Sequence, residues 1–400
     1  MRDFLPPDAR RLADLARELL AQFELCGYEL VTLPVFEYED VLERGLGALA
    51  PEEVLRFVEP ETGEVVALRP DMTPQLARLV STRLANAPAP IRLSYQGSVL
   101  RRRRERARSH RQIFQAGVEL LGRDGPSGDL EAIELSCTAA RAAGLNDFVL
   151  DLGHARIAGA LLEGIEPSRQ RALVDALHLK DRTELERVAR AAGLPLAEQA
   201  ALVALSELHG GRELWPAAER LLRGTRAEPG LEELSAVLRE VEQRQLAPAL
   251  LIDFGETRHF EYYTGTTFQL HARGPGAPIA SGGRYDGLLS RFGRPLPAFG
   301  FAFALDDLAW ALDAAAPRSA RRAPRLLIAR EAEAIMGVLR QLGVPCAPAP
   351  AEDPLAYAAA WRYTHLVAGA AAQAIVTSIA QRTEQRVPLE ASAVARVVLG

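Results

Sequence analysis

Four hundred residues, 25% of them charged and 48% apolar, provide enough chain for two or three domains with sizeable cores. A net charge of −5 excludes a molecule that draws polyanions through its overall field, so any nucleic-acid contact needs a local basic patch. Lys180 is the only lysine among 47 basic residues and alanine is abundant, a bias of GC-rich coding with no functional content. Cys26, Cys137 and Cys346 are odd in number, far apart and without a Cys-x-x-Cys pair, which speaks against a disulfide framework or zinc site and suits a reducing cytoplasm. The start MRDFLPPDAR has no apolar signal segment and no run nears transmembrane length, so a soluble cytoplasmic protein is expected.

In chain order, Asp8–Cys26 is an amphipathic helix with Leu12, Leu15, Ala16, Leu19, Leu20 and Phe23 on one stripe and Gly27 at its cap. Tyr28–Leu33 is a strand ending at Pro34. Val54–Val58 and Val65–Arg69 flank the turn PETGE as a hairpin. Thr73 is read as the cap of a helix that has Pro74 at its first position and runs to about Leu84. A helix from Asp129 to about Ala143 and a strand Phe148–Leu152 follow.

Residues 155–246 are almost wholly helical between Gly and Pro breakers, and are expected to form a helical insertion. Strands return at Leu250–Phe254, Tyr262–Ala272 and Ile279–Gly283, then a helix over Phe301–Ala314. The expected division is a core of residues 1–154 and 247–314, the insertion 155–246, a linker 315–323 and a small α/β domain 324–400.

The stretch Ser94–Gly122 carries the chemistry. It reads as a strand, the basic loop Arg101–Arg108, and a return strand Ile113–Leu121. Guanidinium groups held on a sheet suit carboxylates or phosphates, although an isolated arginine run is usually solvated surface. Gln115 and Glu119 lie four apart on the return strand, so alternation puts both on one face. His110, His154 and His259 are not at metal-ligand spacing, and no metal or cofactor is expected.

Seven segments, taken together, resemble the histidyl-tRNA synthetase family of class II synthetases in both order and spacing. RDFLP is like that family's opening, and GYELVTLPVFEY resembles the first class II motif, which forms the dimer interface. LRPDMT is similar to the substrate-binding LRPEGT, and Ser94–Gly122 resembles the second motif. RHFEYYTGTTF and GGRYDGLLSRFG resemble the two histidine-specific signatures, and PAFGFAFALDDLAWAL the third motif. The implied fold is α+β: a class II antiparallel sheet flanked by helices, with a helical insertion and a small C-terminal α/β domain.

The resemblance implies a histidine pocket. Glu119 and Gln115 would orient the ammonium group and imidazole, and Thr73 and Asp71 would hold the ammonium, Asp71 standing where the family has Glu. Arg101 would face the carboxylate, or the adenylate phosphate in a synthetase; Arg258 matches the arginine that in the synthetases sits beside the scissile phosphate, and Tyr262, Tyr263 and Tyr285 would wall the ring. For each tyrosine alone core packing is the bland explanation, favoured for Tyr262. It is weaker for Glu119 with Gln115, because glutamate is rarely buried unpaired.

Three departures concern ATP. Arg103 replaces the Glu that orients adenine, Ser109 replaces a loop arginine, and Asp307 replaces the arginine that meets the γ-phosphate. An anion in place of a phosphate-binding cation inverts an interaction worth on the order of several kcal/mol. The domain 324–400 resembles the family's anticodon-binding module in eroded form, so tRNA charging is disfavoured as well.

A synthetase-like body with a kept histidine pocket and lost ATP contacts resembles the regulatory subunits of ATP phosphoribosyltransferase. That resemblance implies a non-catalytic subunit, required by a short catalytic subunit for the first step of histidine biosynthesis and for feedback inhibition by histidine. It also implies a self-dimer within a hetero-oligomer. The alternatives are a histidyl-tRNA synthetase with drifted motifs and a non-catalytic RNA-binding paralogue that uses Arg101–Arg108 on a phosphate backbone. Arg102–Arg106 would touch the partner subunit or its phosphorylated substrates, or remain solvated.

Overall fold

The computed structural model describes residues 3–46, 54–101, 112–257, 262–315 and 324–399. The chain divides into two compact units, Met1–Pro317 and Arg318–Gly400.

The first unit opens with helix α1 (Asp8–Leu25), strands β1 (Glu29–Val31) and β2 (Phe36–Tyr38), and helix α2 (Glu39–Leu46). The hairpin β3 (Leu55–Val58) and β4 (Val65–Leu68) leads to α3 (Thr73–Thr82). The long hairpin β5 (Ile91–Leu100) and β6 (Gln112–Leu121) follows, then α4 (Gly125–Ala142) and β7 (Val149–His154). Six helices come next: α5 (Ala155–Leu162), α6 (Pro167–His178), α7 (Arg182–Ala191), α8 (Leu196–Leu205), α9 (Trp215–Leu222) and α10 (Glu228–Gln243), with the short β8 (His209–Gly210) between α8 and α9. The unit closes with β9 (Ala249–Asp253), β10 (Thr266–His271), β11 (Ala280–Arg284), β12 (Ala298–Ala304) and α11 (Leu305–Ala315).

Nine strands form one sheet in the order β1-β5-β6-β12-β11-β10-β7-β9-β8. From β5 to β7 every pairing is antiparallel, with parallel pairings at β1–β5 and β7–β9. Alternation sorts the side chains between two faces. Ala116, Val118 and Leu120 of β6 and Phe299, Phe301 and Phe303 of β12 enter the larger core, beneath α1, α4 and α11. Each fully buried leucine or phenylalanine there contributes roughly 1.5–3 kcal/mol. Leu93, Tyr95 and Val99 of β5 and Leu121 of β6 face a second, smaller core with Met72, Leu76 and Val80 along α3. Gln115, Gly117 and Glu119 share the parity of Leu121, so they lie on this second face.

Several sequence expectations are corrected. Phe301 belongs to β12 rather than to a helix, because three phenylalanines at alternate positions bury into the sheet; the helix starts at Leu305. Tyr262 and Tyr263 precede β10, which begins only at Thr266. The helix expected from Asp129 starts a turn earlier at Gly125, leaving Asp129 buried inside it. Thr73 is the first residue of α3 and does not cap it: its hydroxyl is used elsewhere. The segment 155–246 also supplies β8, an edge strand of the main sheet paired with β9.

The second unit is a five-stranded sheet in the order β14-β13-β15-β16-β17: β13 (Leu326–Ile328), β14 (Cys346–Pro348), β15 (His365–Ala370), β16 (Gln373–Ser378) and β17 (Glu384–Pro388). Helices α12 (Met336–Gln341) and α14 (Ala391–Leu399) share a core with Leu326, Ile328 and Val367 of the sheet, and α13 (Pro354–Ala360) packs Ala358 in a separate cluster with Leu327 and Leu366. Residues 316–323 of the expected linker lie outside the described residues.

Candidate functional site

Glu119 lies near the middle of the β5–β6–β12 layer, only 1% exposed. A carboxyl group can occupy this depth because the facing residue on β12 is Gly300. A methyl group there would sit 1.6 Å from the Glu119 Oε2 atom. Gly117 does the same for Tyr95, whose hydroxyl would otherwise meet a Cβ at 2.7 Å.

The carboxyl is ringed by hydroxyl groups. Thr73 Oγ1 donates to Oε1 at 2.8 Å, and the Tyr285 hydroxyl donates to Oε2. Tyr95 supplies a third hydroxyl from β5. Burial pushes the Glu119 carboxyl up to about 8; Asp71 adds to the rise, and the hydroxyl donors oppose it. The phenols of Tyr95, Tyr262, Tyr263 and Tyr285 are raised chiefly by burial and also by the neighbouring acids, so they stay neutral.

The approach to α3 builds the adjoining wall. Asp71 Oδ1 accepts from the Thr73 backbone N–H at 2.9 Å, which turns the Thr73 hydroxyl toward Glu119. Arg101, at the end of β5, donates from Nη2 to Asp71 Oδ2 at 3.3 Å and from Nε to the Pro70 carbonyl at 2.8 Å. Three tyrosine rings pack against one another beside these acids. Tyr262 stacks on Tyr285 with centroids 5.2 Å apart and meets Tyr263 edge-on at 5.1 Å.

Of the residues expected at this site, Asp71, Thr73, Arg101, Glu119, Tyr262, Tyr263 and Tyr285 are joined by these contacts. Gln115 lies half-buried on the same face of β6, four residues before Glu119. Arg258, Arg103, Ser109 and the Arg102–Arg108 part of the basic loop lie outside the described residues. Asp307 lies half-buried in the first turn of α11, beside Asp306. An acid is favoured at that helix end by the dipole, where an arginine would be opposed.

Two contributors escaped the sequence reading. Tyr95 looks like an ordinary strand aromatic until its hydroxyl reaches Glu119 and Thr73. Arg284, next to Tyr285, is buried and donates from Nε to Asp129 Oδ1 at 2.7 Å and from Nη1 to Asp286 Oδ1 at 2.9 Å. This ion pair ties β11, the strand that leads into Tyr285, to α4. The GGRYD motif contained the signal, a charged residue between glycines and an aromatic, but not the partner.

The histidyl-tRNA synthetase family model matches residues 1–308. An ATP phosphoribosyltransferase regulatory subunit from Anaeromyxobacter sp. (strain Fw109-5) is 45% identical over 325 residues, 81% of this chain and 94% of the relative. The chain belongs to the ATP phosphoribosyltransferase regulatory subunit family. A second member, from Syntrophotalea carbinolica, is 35% identical across 98% of this chain and 95% of its own. Among solved structures, an "ATP phosphoribosyltransferase regulatory subunit/histidyl-tRNA synthetase" from Bacillus halodurans superposes with a TM-score of 0.78 at 27% identity, covering 92% of this chain and 96% of that one. The regulatory-subunit family thus shares the class II synthetase fold described above.

Proposed function

We propose that this chain is a non-catalytic subunit that binds histidine in the Glu119 pocket and governs a separate, short ATP phosphoribosyltransferase catalytic subunit in the first step of histidine biosynthesis. The observation that carries the proposal is a buried carboxyl surrounded by hydroxyl donors, with no cationic side chain hydrogen-bonded to it among the described residues. A buried acid lacking a counter-charge suits a ligand that brings its own cation, as an amino acid does. Asp71 and Thr73 serve the same ammonium, Gln115 and the tyrosines the imidazole, and Arg101 with Arg258 the carboxylate.

Feedback follows by linkage: histidine favours the inactive assembly only in so far as it binds that state more tightly. ATP activation and aminoacylation are lost in this proposal, with Asp307 in place of a γ-phosphate cation. Self-association through the β2–β4–β3 sheet is supported by the exposed Val35, Phe36, Tyr38, Phe57 and Val58, where Phe36 and Phe57 meet edge-to-face at 5.8 Å. Among the described residues no helix is long and apolar enough to cross a membrane, and a cytoplasmic location belongs to the same proposal.

The test has two arms. Purified protein should bind L-histidine yet show no histidine-dependent ATP–pyrophosphate exchange, and it should restore activity and histidine inhibition to a short catalytic subunit. Robust exchange would instead establish an active synthetase.

A further inference from the structure

We infer that capture of the ligand's ammonium group at Glu119 expels a proton, because the free pocket holds this carboxyl as a neutral acid that the arriving cation converts to carboxylate. This proposal rests on the amino-acid reading of the pocket and adds its proton balance.

The geometry carries the argument. At 1% exposure Glu119 has lost nearly all water, and an isolated carboxylate at that depth is strongly disfavoured. Among the described residues, each element packed against it presents a neutral or an acidic group. Helix α3 and its lead-in bring Thr73 and Asp71, and β5 brings Tyr95. The segment before β10 brings Tyr262 and Tyr263, and the residue that follows β11 is Tyr285. Strand β12 presents only the bare backbone of Gly300. Arg101, the cation beside Asp71, is engaged by Asp71 and the Pro70 carbonyl. The raised Glu119 titration agrees with this arrangement.

The step balances simply. A zwitterionic amino acid enters with its ammonium protons intact, the O–H bond of Glu119 breaks, its proton passes to the buffer, and an N–H···O bond to the carboxylate replaces it. Below the Glu119 titration point, affinity should therefore rise roughly tenfold per pH unit. Feedback sensitivity would follow intracellular pH in the same direction.

Calorimetry of L-histidine binding to the full chain at pH 7, in phosphate and in Tris, measures the protons exchanged. Close to one proton should be released per histidine. Binding with equal enthalpies in both buffers would overturn the inference and leave the amino-acid pocket standing, whereas no binding in either would remove the pocket assignment itself. Infrared difference spectra give a ligand-independent check. The free protein should show a protonated-carboxyl stretch that is missing in Glu119→Gln, and an identical spectrum in the two proteins would also defeat the proposal.

Discussion

Tyr285 and Glu119 stand 166 residues apart in sequence and share a buried hydrogen bond at the centre of the proposed histidine site. The tyrosine is held from behind by the Arg284–Asp129 ion pair, and the glutamate is admitted by Gly300. An acid from β6, its donor from just after β11 and the space for the acid on β12 thus meet only in the folded sheet.

Replacing Glu119 should separate assembly from regulation. Glu119→Ala removes the proposed acceptor for a histidine ammonium, and a charge-assisted hydrogen bond of about 1.5–3 kcal/mol corresponds to a loss of roughly 10- to 100-fold in histidine affinity. The complex with the catalytic subunit should remain active and become poorly inhibited. Inhibition curves of wild-type and variant complexes check this, and coincident curves would place the effector elsewhere.

Stability should depend on pH through the same residue. Folded Glu119 titrates near 8 against an ordinary value of 4.5, so the folded state binds the proton more tightly than the unfolded chain. Its contribution is fully present below about pH 4.5 and is lost as the pH rises through about 8. Denaturant unfolding at pH 5 and pH 8.5 should show wild type losing more stability across this range than Glu119→Gln, whose amide does not titrate. Parallel losses would mean that the carboxyl is not buried as a neutral acid.

Gly300 should tolerate no side chain. A methyl group at 1.6 Å from Glu119 Oε2 must displace the carboxyl or spread β6 from β12. Overpacking of this kind costs about 1–3 kcal/mol. Gly300→Ala should lower the melting temperature and abolish the histidine-induced thermal shift. A variant with an unchanged melt and an unchanged shift would show that Glu119 does not lie across β12.

The second unit should be separable from histidine binding. All the described pocket residues lie in the unit Met1–Pro317. A chain ended after Ala315 should keep its affinity for histidine within about threefold, well below the tenfold that 1.4 kcal/mol represents. Loss of binding in a truncated protein that still unfolds cooperatively would assign the second unit a part in the site.

The linear chain settles what neighbouring residues settle among themselves. Leu12, Leu15, Leu19 and Phe23 recur at helical spacing, so α1 could be read directly. Strand alternation is equally local, which is why Gln115 and Glu119 could be assigned to one face before any partner was known. Motif order carried the family, because seven spaced segments seldom coincide by chance. Burial could not be read in this way. The unit Phe301–Ala304 looked helical because apolar residues are compatible with either element, and only pairing with β6 and β11 made it a strand. Thr73 looked like a cap because the nearest unpaired donors were those of its own helix; Glu119, 46 residues away, became the better partner once folded. The charge on Glu119 depends on hydroxyls and glycines gathered from distant segments, since desolvation is a property of everything that surrounds a group and of nothing beside it in sequence.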